Sequence, residues 1–264
     1  VKLLCSIDGR IGPVDEGRIS ISDEGLLRGD GAFEVLRLYD GKPFALEDHL
    51  DRLARSADGI FLDWDRSSFE REIGALLETN EARDQSLRLL VTRGGRRIAI
   101  VEQSPSFDHG ITVQSVTYQP TIVLSGLKTL SYEANVTATR IAQSRGADEA
   151  LLALPGGKVL EAPTSTIFWA TDDGALRTPR LDNGILASIT RDRILQLVPV
   201  EEDDYELSDV LGASEVFLAS SVREVQGVAE LDGVSFDCPG PTTSRIGGLL
   251  SERIEAELSA ARSP

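Results

Sequence analysis

Lys128 lies in the run Thr121-Ile-Val-Leu-Ser-Gly-Leu-Lys-Thr-Leu-Ser-Tyr132, in a chain whose only other lysines are Lys2, Lys42 and Lys158 among 27 basic residues. Arginine keeps its proton in a protein, whereas a lysine amine among apolar neighbours can lose it and act as nucleophile, Schiff-base former and proton carrier. The competing reading is a lysine whose stem lies along apolar surface with its head in water. Glu161 stands just before Ala162-Pro163, where a strand-like stretch ends and a carboxylate can point into a cleft or into solvent. Ser188-Ile-Thr-Arg191 reads as a helix start, where unpaired N–H groups and the helix dipole favour an anion. Thr190 adds a hydroxyl there, although serine and threonine at a helix start also serve as ordinary caps.

These groups need elements to hold them. Residues 32–39 alternate as a strand, Asp40-Gly41 is a hairpin turn and residues 43–45 begin the return. Leu46, Leu50, Leu53, Ala57 and Ile60 recur at helical spacing, and Phe69, Ile73, Leu76 and Leu77 mark a second helix. Strands follow at 86–92, 98–102 and 111–117, which makes residues 1–118 an α+β lobe. Gln119-Pro120 is the expected crossing into a larger lobe, 119–264, because proline favours an extended connection. That lobe reads as a helix at 134–144 and strands at 149–154, 159–161, 166–171 and 175–178. Helices at 189–198 and 243–261 then flank strands near 200–205, 215–219 and 225–231.

Composition narrows the function. With 264 residues, 41% apolar and 27% charged, the chain can bury a sizeable core. A net charge of −16 argues against a nucleic-acid footprint and against anionic membranes, while leaving room for a local basic pocket. Cys5, Cys238, His49 and His109 are too few for a disulfide framework or a zinc site, so no metal is expected. No run reaches membrane-spanning length and the N-terminal apolar stretch is too short for a secretory signal, so a cytoplasmic protein is expected. Gly-x-Ser-x-Gly, Walker and dinucleotide glycine motifs are absent.

Arg28-Gly-Asp-Gly-Ala-Phe-Glu34, His49-Leu-Asp-Arg-Leu53, Leu127-Lys-Thr-Leu-Ser-Tyr132, Glu161-Ala-Pro-Thr-Ser-Thr-Ile-Phe168 and Ser188-Ile-Thr-Arg191, in this order, resemble the fold type IV pyridoxal-phosphate enzymes. That class holds branched-chain aminotransferases, D-amino-acid transaminases, (R)-selective amine transaminases and aminodeoxychorismate lyases. The resemblance implies a two-lobed α+β fold of the D-amino-acid aminotransferase type, with pyridoxal 5'-phosphate as cofactor and a homodimer as the assembly. It implies that Lys128 carries the cofactor as a Schiff base and moves the proton, and that Glu161 pairs with the pyridine nitrogen. Arg52, Ile189, Thr190, Ser220 and Ser221 would hold the phosphate, and Tyr132 would face the phenolic oxygen. From the residues alone, Arg52 is equally a solvated helix-face charge and Tyr132 equally a core tyrosine.

Substrate choice turns on how the carboxylate is held. The Arg-x-His pair of well-known D-amino-acid transaminases is missing, because Thr92-Arg-Gly-Gly-Arg-Arg97 runs into Ile98-Ala-Ile100. Arg88 alternates with Leu90 and Thr92 on one strand face at the point where the class places a cation. Arg28 could reach a neighbouring subunit's site, Phe33 fills the aromatic position of the Gly-Asp-Gly-x-Phe-Glu pattern, and Arg96 is a fallback. Glu34 matches the transaminase pattern, whereas Leu87-Arg-Leu-Leu-Val-Thr-Arg-Gly94 and Ala147-Asp-Glu-Ala150 are also close to the lyases. The expectation is amino-group transfer between an amino acid, foremost a D-amino acid, and a 2-oxo acid such as pyruvate or 2-oxoglutarate. The alternatives are aminodeoxychorismate lyase and a non-catalytic cofactor-binding protein.

Overall fold

The computed structural model describes residues 2–81, 83–107 and 110–260, so His109 falls outside them. The chain forms two compact units. The first comprises residues 1–105, 127–132 and 257–264, and the second comprises 106–126 and 133–256.

In the first unit, β1 (Leu4–Ile7), β2 (Arg10–Pro13), β3 (Gly31–Tyr39), β4 (Lys42–Pro43), β5 (Gln85–Thr92) and β6 (Arg97–Gln103) make a sheet of order β2-β1-β6-β5-β3-β4. Its pairings are antiparallel throughout. Helix α1 (Glu24–Arg28) precedes β3, and α2 (Leu46–Gly59) and α3 (Arg66–Thr79) lie between β4 and β5. Alternation along the strands sends Leu36, Leu38, Leu87, Leu89 and Val101 into a core with Leu50, Leu53 and Ala57 of α2 and Phe69, Ile73 and Leu76 of α3. Burying such side chains is worth about 1.5–3 kcal/mol each. Asp40 and Gly41 both take positive φ, as the expected hairpin turn demands.

In the second unit, β7 (Gly110–Thr117), α4 (Glu133–Ser144) and β8 (Glu149–Ala153) open the chain, and β7 pairs in parallel with β8. There follow β9 (Thr166–Ala170), β10 (Leu176–Pro179), α5 (Ile189–Leu197), β11 (Glu201–Asp203), α6 (Leu207–Leu211), β12 (Glu215–Ser220), β13 (Glu224–Leu231), β14 (Val234–Ser235) and α7 (Pro241–Ala260). The sheet runs β11-β10-β9-β12-β13-β7-β8, with β14 on β13. Strands β8 and β9 are buried at every position, as in a sheet covered on both faces.

Three expectations change. The 118/119 boundary falls inside the second unit, because β7 pairs with β13 and β8, and Leu127 to Tyr132 group with the first unit. Residues 159–161 form no strand; Val159 makes a single bridge to Ala153 and Leu160 one bond to the Leu152 carbonyl. The 43–45 return shrinks to β4, since Ala45 turns to φ 53 ahead of α2.

Candidate active site

In the first unit, the segment carrying Lys128 pairs with the beginning of β3. Phe33 N–H donates to the Lys128 carbonyl at 3.0 Å, Leu130 N–H donates to the Gly31 carbonyl at 2.9 Å, and Ala32 bridges Thr129. The Gly-Asp-Gly motif permits this approach. A Cβ on Gly31 would stand 2.6 Å from Leu130 Cδ1, and Gly29, at φ +68, lies against the Leu130 backbone. From below, the buried Ser56 hydroxyl of α2 accepts the Lys128 N–H at 3.0 Å. The Lys128 Nζ then sits 4.5 Å from the Phe33 ring centre and 5.5 Å from that of Tyr132, and these two rings meet edge to face at 5.2 Å.

Beneath that segment, α2 turns a polar row inward. Arg52 donates from Nε and Nη2 to the two oxygens of Glu34, at 2.7 Å each, and His49 Nδ1 meets Glu34 Oε2 at 2.7 Å. All three are buried. Burial alone would raise the Glu34 carboxyl, but the charge and hydrogen bonds of Arg52, with those of His49, bring it down to about 2. His49 is lowered, chiefly because burial disfavours the imidazolium. The reading of Arg52 as a solvated helix-face charge is therefore replaced by a bidentate clamp inside the core, with His49 beside it.

Phe33 also lies under Arg88, whose guanidinium carbon is 5.9 Å from the ring centre. Arg88 Nε donates to Glu102 at 2.6 Å, a contact that occupies one edge of the guanidinium. Arg28 is exposed at the end of α1 and pairs with Glu24 at 3.2 Å. Arg96, the fallback, pairs with Asp8 beside the β5–β6 turn.

In the second unit, Glu161 Oε1 accepts the Leu186 N–H at 3.0 Å, which fastens the carboxylate to the loop entering α5. Tyr118 is pushed up, first by burial and then by the Glu161 charge. At the mouth of α5 the Ser188 hydroxyl takes the Arg191 N–H and the Ser188 carbonyl takes that of Asp192. The N–H groups of Ile189 and Thr190 thus have no partner within the helix. Ser220 and Ser221 stand at the β12–β13 turn.

The first unit thus brings Lys128, Tyr132, Phe33 and Arg88 around one aromatic ring, with Arg52 in the buried row below, and leaves Arg28 and Arg96 apart with acidic partners. Sequence reasoning missed Ser56 as the partner of the Lys128 amide. The signal was present, because His49, Arg52 and Ser56 follow one another at helical spacing beside the apolar stripe.

The class IV amino-transferase family model matches residues 31–231. The chain belongs to this family. It is 34% identical to a putative branched-chain-amino-acid aminotransferase of Methanocaldococcus jannaschii, over 86% of this chain and 87% of the relative. A D-alanine aminotransferase of Bacillus licheniformis is 30% identical, over 96% and 97% of the two chains. Among solved structures, a fold IV transaminase from Curtobacterium pusillum superposes with a TM-score of 0.86 at 27% identity, covering 95% of this chain and 99% of that one. As a class IV aminotransferase the protein is a pyridoxal-phosphate-dependent transaminase, and these relatives favour amino-group transfer over the lyase. The donor set suits that cofactor. There is an amine, a carboxylate for a protonated ring nitrogen, and N–H and hydroxyl donors at a helix mouth and a turn for a phosphate.

Proposed function

We propose that this aminotransferase moves the amino group of a D-amino acid to a 2-oxo acid such as pyruvate or 2-oxoglutarate. The observation that carries the reading is the shared floor of Phe33, with the Lys128 amine 4.5 Å and the Arg88 guanidinium 5.9 Å from one ring centre. An α-amino acid presents an amine-bearing carbon beside a carboxylate, and this arrangement offers a partner to each. When bound, pyridoxal phosphate supplies an aldehyde to hold the amino group and a ring that accepts electron density from Cα. Lys128 would hold the cofactor through its amine, as the Schiff-base lysine, and would move the proton at Cα. Glu161, oriented by the Leu186 N–H, keeps the ring nitrogen protonated. Ile189, Thr190, Ser220, Ser221 and Arg52 hold the phosphate, and Tyr132 faces the phenolic oxygen.

Arg88, held by Glu102 through Nε, offers its outer fork to the substrate carboxylate, and Arg96 is second choice because Asp8 engages it. Arg28 serves the site of a second copy in a homodimer, a reading supported by its exposure and by the exposed Ile21, Leu26, Leu27 and Phe61. A cytoplasmic setting accords with a sequence that holds only two cysteines, Cys5 and Cys238. Among the described residues no helix is long and apolar enough to cross a membrane.

Half-reactions with both enantiomers of alanine, glutamate and leucine, with (R)- and (S)-1-phenylethylamine and with aminodeoxychorismate test the reading. Bleaching of the visible band by D-amino acids and its return with a 2-oxo acid is expected. Response to L-amino acids alone, or pyruvate released from aminodeoxychorismate without an acceptor, would overturn it. In Arg88→Gln, KM for D-alanine should rise roughly 10–100-fold, the range for a lost charged hydrogen bond, while (R)-1-phenylethylamine is little affected. Equal losses for both substrates would remove Arg88 from the carboxylate site.

A further inference from the structure

The connection from β12 to β13 has three residues, Ser221, Val222 and Arg223, because Ser220 pairs directly with Glu224. Such loops close on a left-handed residue, normally glycine, and here Glu224 takes φ +57. The local sequence therefore does not favour the shape the turn adopts, and something must hold it. Arg223 does so twice. Its N–H donates to the Ser220 hydroxyl at 3.2 Å, and its side chain, 8% exposed, reaches back into the unit. There Nη1 donates to Gln226 Oε1 and Nη2 to Glu149 Oε2 at 3.3 Å, and the guanidinium lies 4.6 Å over the Phe107 ring.

Glu149, equally buried at the start of β8, is the hub. Its Oε1 accepts from the Thr139 hydroxyl of α4 at 2.8 Å and from the Ala150 N–H at 3.0 Å. Its Oε2 also receives the Thr164 hydroxyl at 3.5 Å, three residues beyond Glu161. One carboxylate therefore ties the serine turn to β8, to α4 and, loosely, to the turn that follows Glu161. Stability alone gives little reason for this arrangement. Arg223 Nε is buried without a hydrogen-bond partner, and a well-packed apolar pair often does as well as a buried ion pair.

We propose that Glu149 and Arg223 are positioning residues for cofactor binding, a buried ion pair that keeps the turn of Ser220 and Ser221 in the shape that receives the phosphate. This rests on the reading of that turn as a phosphate contact. The pair acts on affinity through the serines and touches no reacting atom.

The test is titration of the apoenzyme with pyridoxal phosphate, following fluorescence quenching, with thermal unfolding of each apoprotein alongside. Glu149→Gln should raise the Kd roughly tenfold or more, the usual effect of removing a partner that orients a ligand-binding group. Ser221→Ala should also raise it. In the double variant the two effects should overlap, giving a Kd below the product of the single fold-changes, because both act through one turn. Arg223→Lys, which keeps the charge, should show the same overlap and serves if Glu149→Gln yields little folded protein. Multiplicative effects, or an unchanged Kd in Glu149→Gln and Arg223→Lys beside a weakened Ser221→Ala, would overturn the proposal. An unchanged Kd in Ser221→Ala would instead remove the phosphate reading beneath it.

Discussion

Each unit holds an arginine with a buried glutamate, yet the two pairs are built differently. In the first, Glu34 receives both Nε and Nη2 of Arg52 at 2.7 Å, is joined by His49, and is brought down to about 2 within an apolar core. In the second, Glu149 receives a single bond from Arg223 at 3.3 Å, and burial lowers Arg223, the more so as Glu149 offsets only part of it. The first arrangement is a rigid base under the Lys128 segment, whereas the second is a brace on a strained turn. The difference teaches where the proposed roles need rigidity: under the lysine proposed to bond the cofactor, with looser control over the turn proposed to grip its phosphate.

The largest expected effect lies with Lys128. Lys128→Ala should slow amino-group transfer on the order of 10³-fold or more, read by single-turnover absorbance with D-alanine. In the unmutated protein borohydride should fix the cofactor label on Lys128, and a label elsewhere would relocate the site. Next, Glu34→Gln removes the countercharge of a buried arginine and should lower unfolding free energy by about 3–5 kcal/mol, measured by urea denaturation at pH 7. Because the Glu34 carboxyl sits below its ordinary 4.5, its stabilisation is complete above that pH and fades as pH falls toward 2. Wild type and variant should therefore converge in acid, and a constant gap would break the account of the triad.

A smaller effect is expected in the second unit. Glu161→Gln should slow the Cα proton step roughly 100-fold, about 2.7 kcal/mol of barrier, with a blue-shifted cofactor band and a modest change in affinity. Unaltered kinetics would detach Glu161 from the ring. The smallest concerns His49. Its imidazole is lowered from 6.5, so the unfolded chain takes up a proton first and stability falls as pH drops below that value. His49→Gln should flatten this slope by at most about 1.4 kcal/mol per pH unit, the limit for one proton. Parallel melting curves between pH 7 and 5 would mean that His49 titrates alike in both states.

Much of the frame was legible because the strands from residue 32 and residue 86 alternate over part of their length and α2 repeats its leucines at helical spacing. Family motifs alone suggested the rest of the proposed site, since Glu161 and Ser220 have no local pattern that sets them apart. The missed elements are short: β1 and β2 have four residues each and α1 has five, too few for periodicity to register. Asp8-Gly9, both at positive φ, was nonetheless a readable turn signal between β1 and β2. The pairing of Lys128 with Phe33 was not legible, because nothing in either segment names a partner so distant in sequence. The polar row of α2 was ambiguous for a different reason: an arginine beside an apolar stripe points inward only if a carboxylate awaits it, and Glu34 lies on another element.

The six residues from Leu127 to Tyr132 complete the edge of β3 although the chain around them belongs to the other unit. During synthesis, the first unit consequently cannot finish assembling when Pro105 emerges. It must wait for the lysine segment, and the closure of so long a loop favours late docking over early nucleation. A fragment ending at residue 105 would expose the Gly31 carbonyl and Phe33 amide as an open edge, inviting pairing with a stray strand. Completeness of the sheet and placement of Lys128 are thus linked: the amine arrives with the segment that closes the edge of β3.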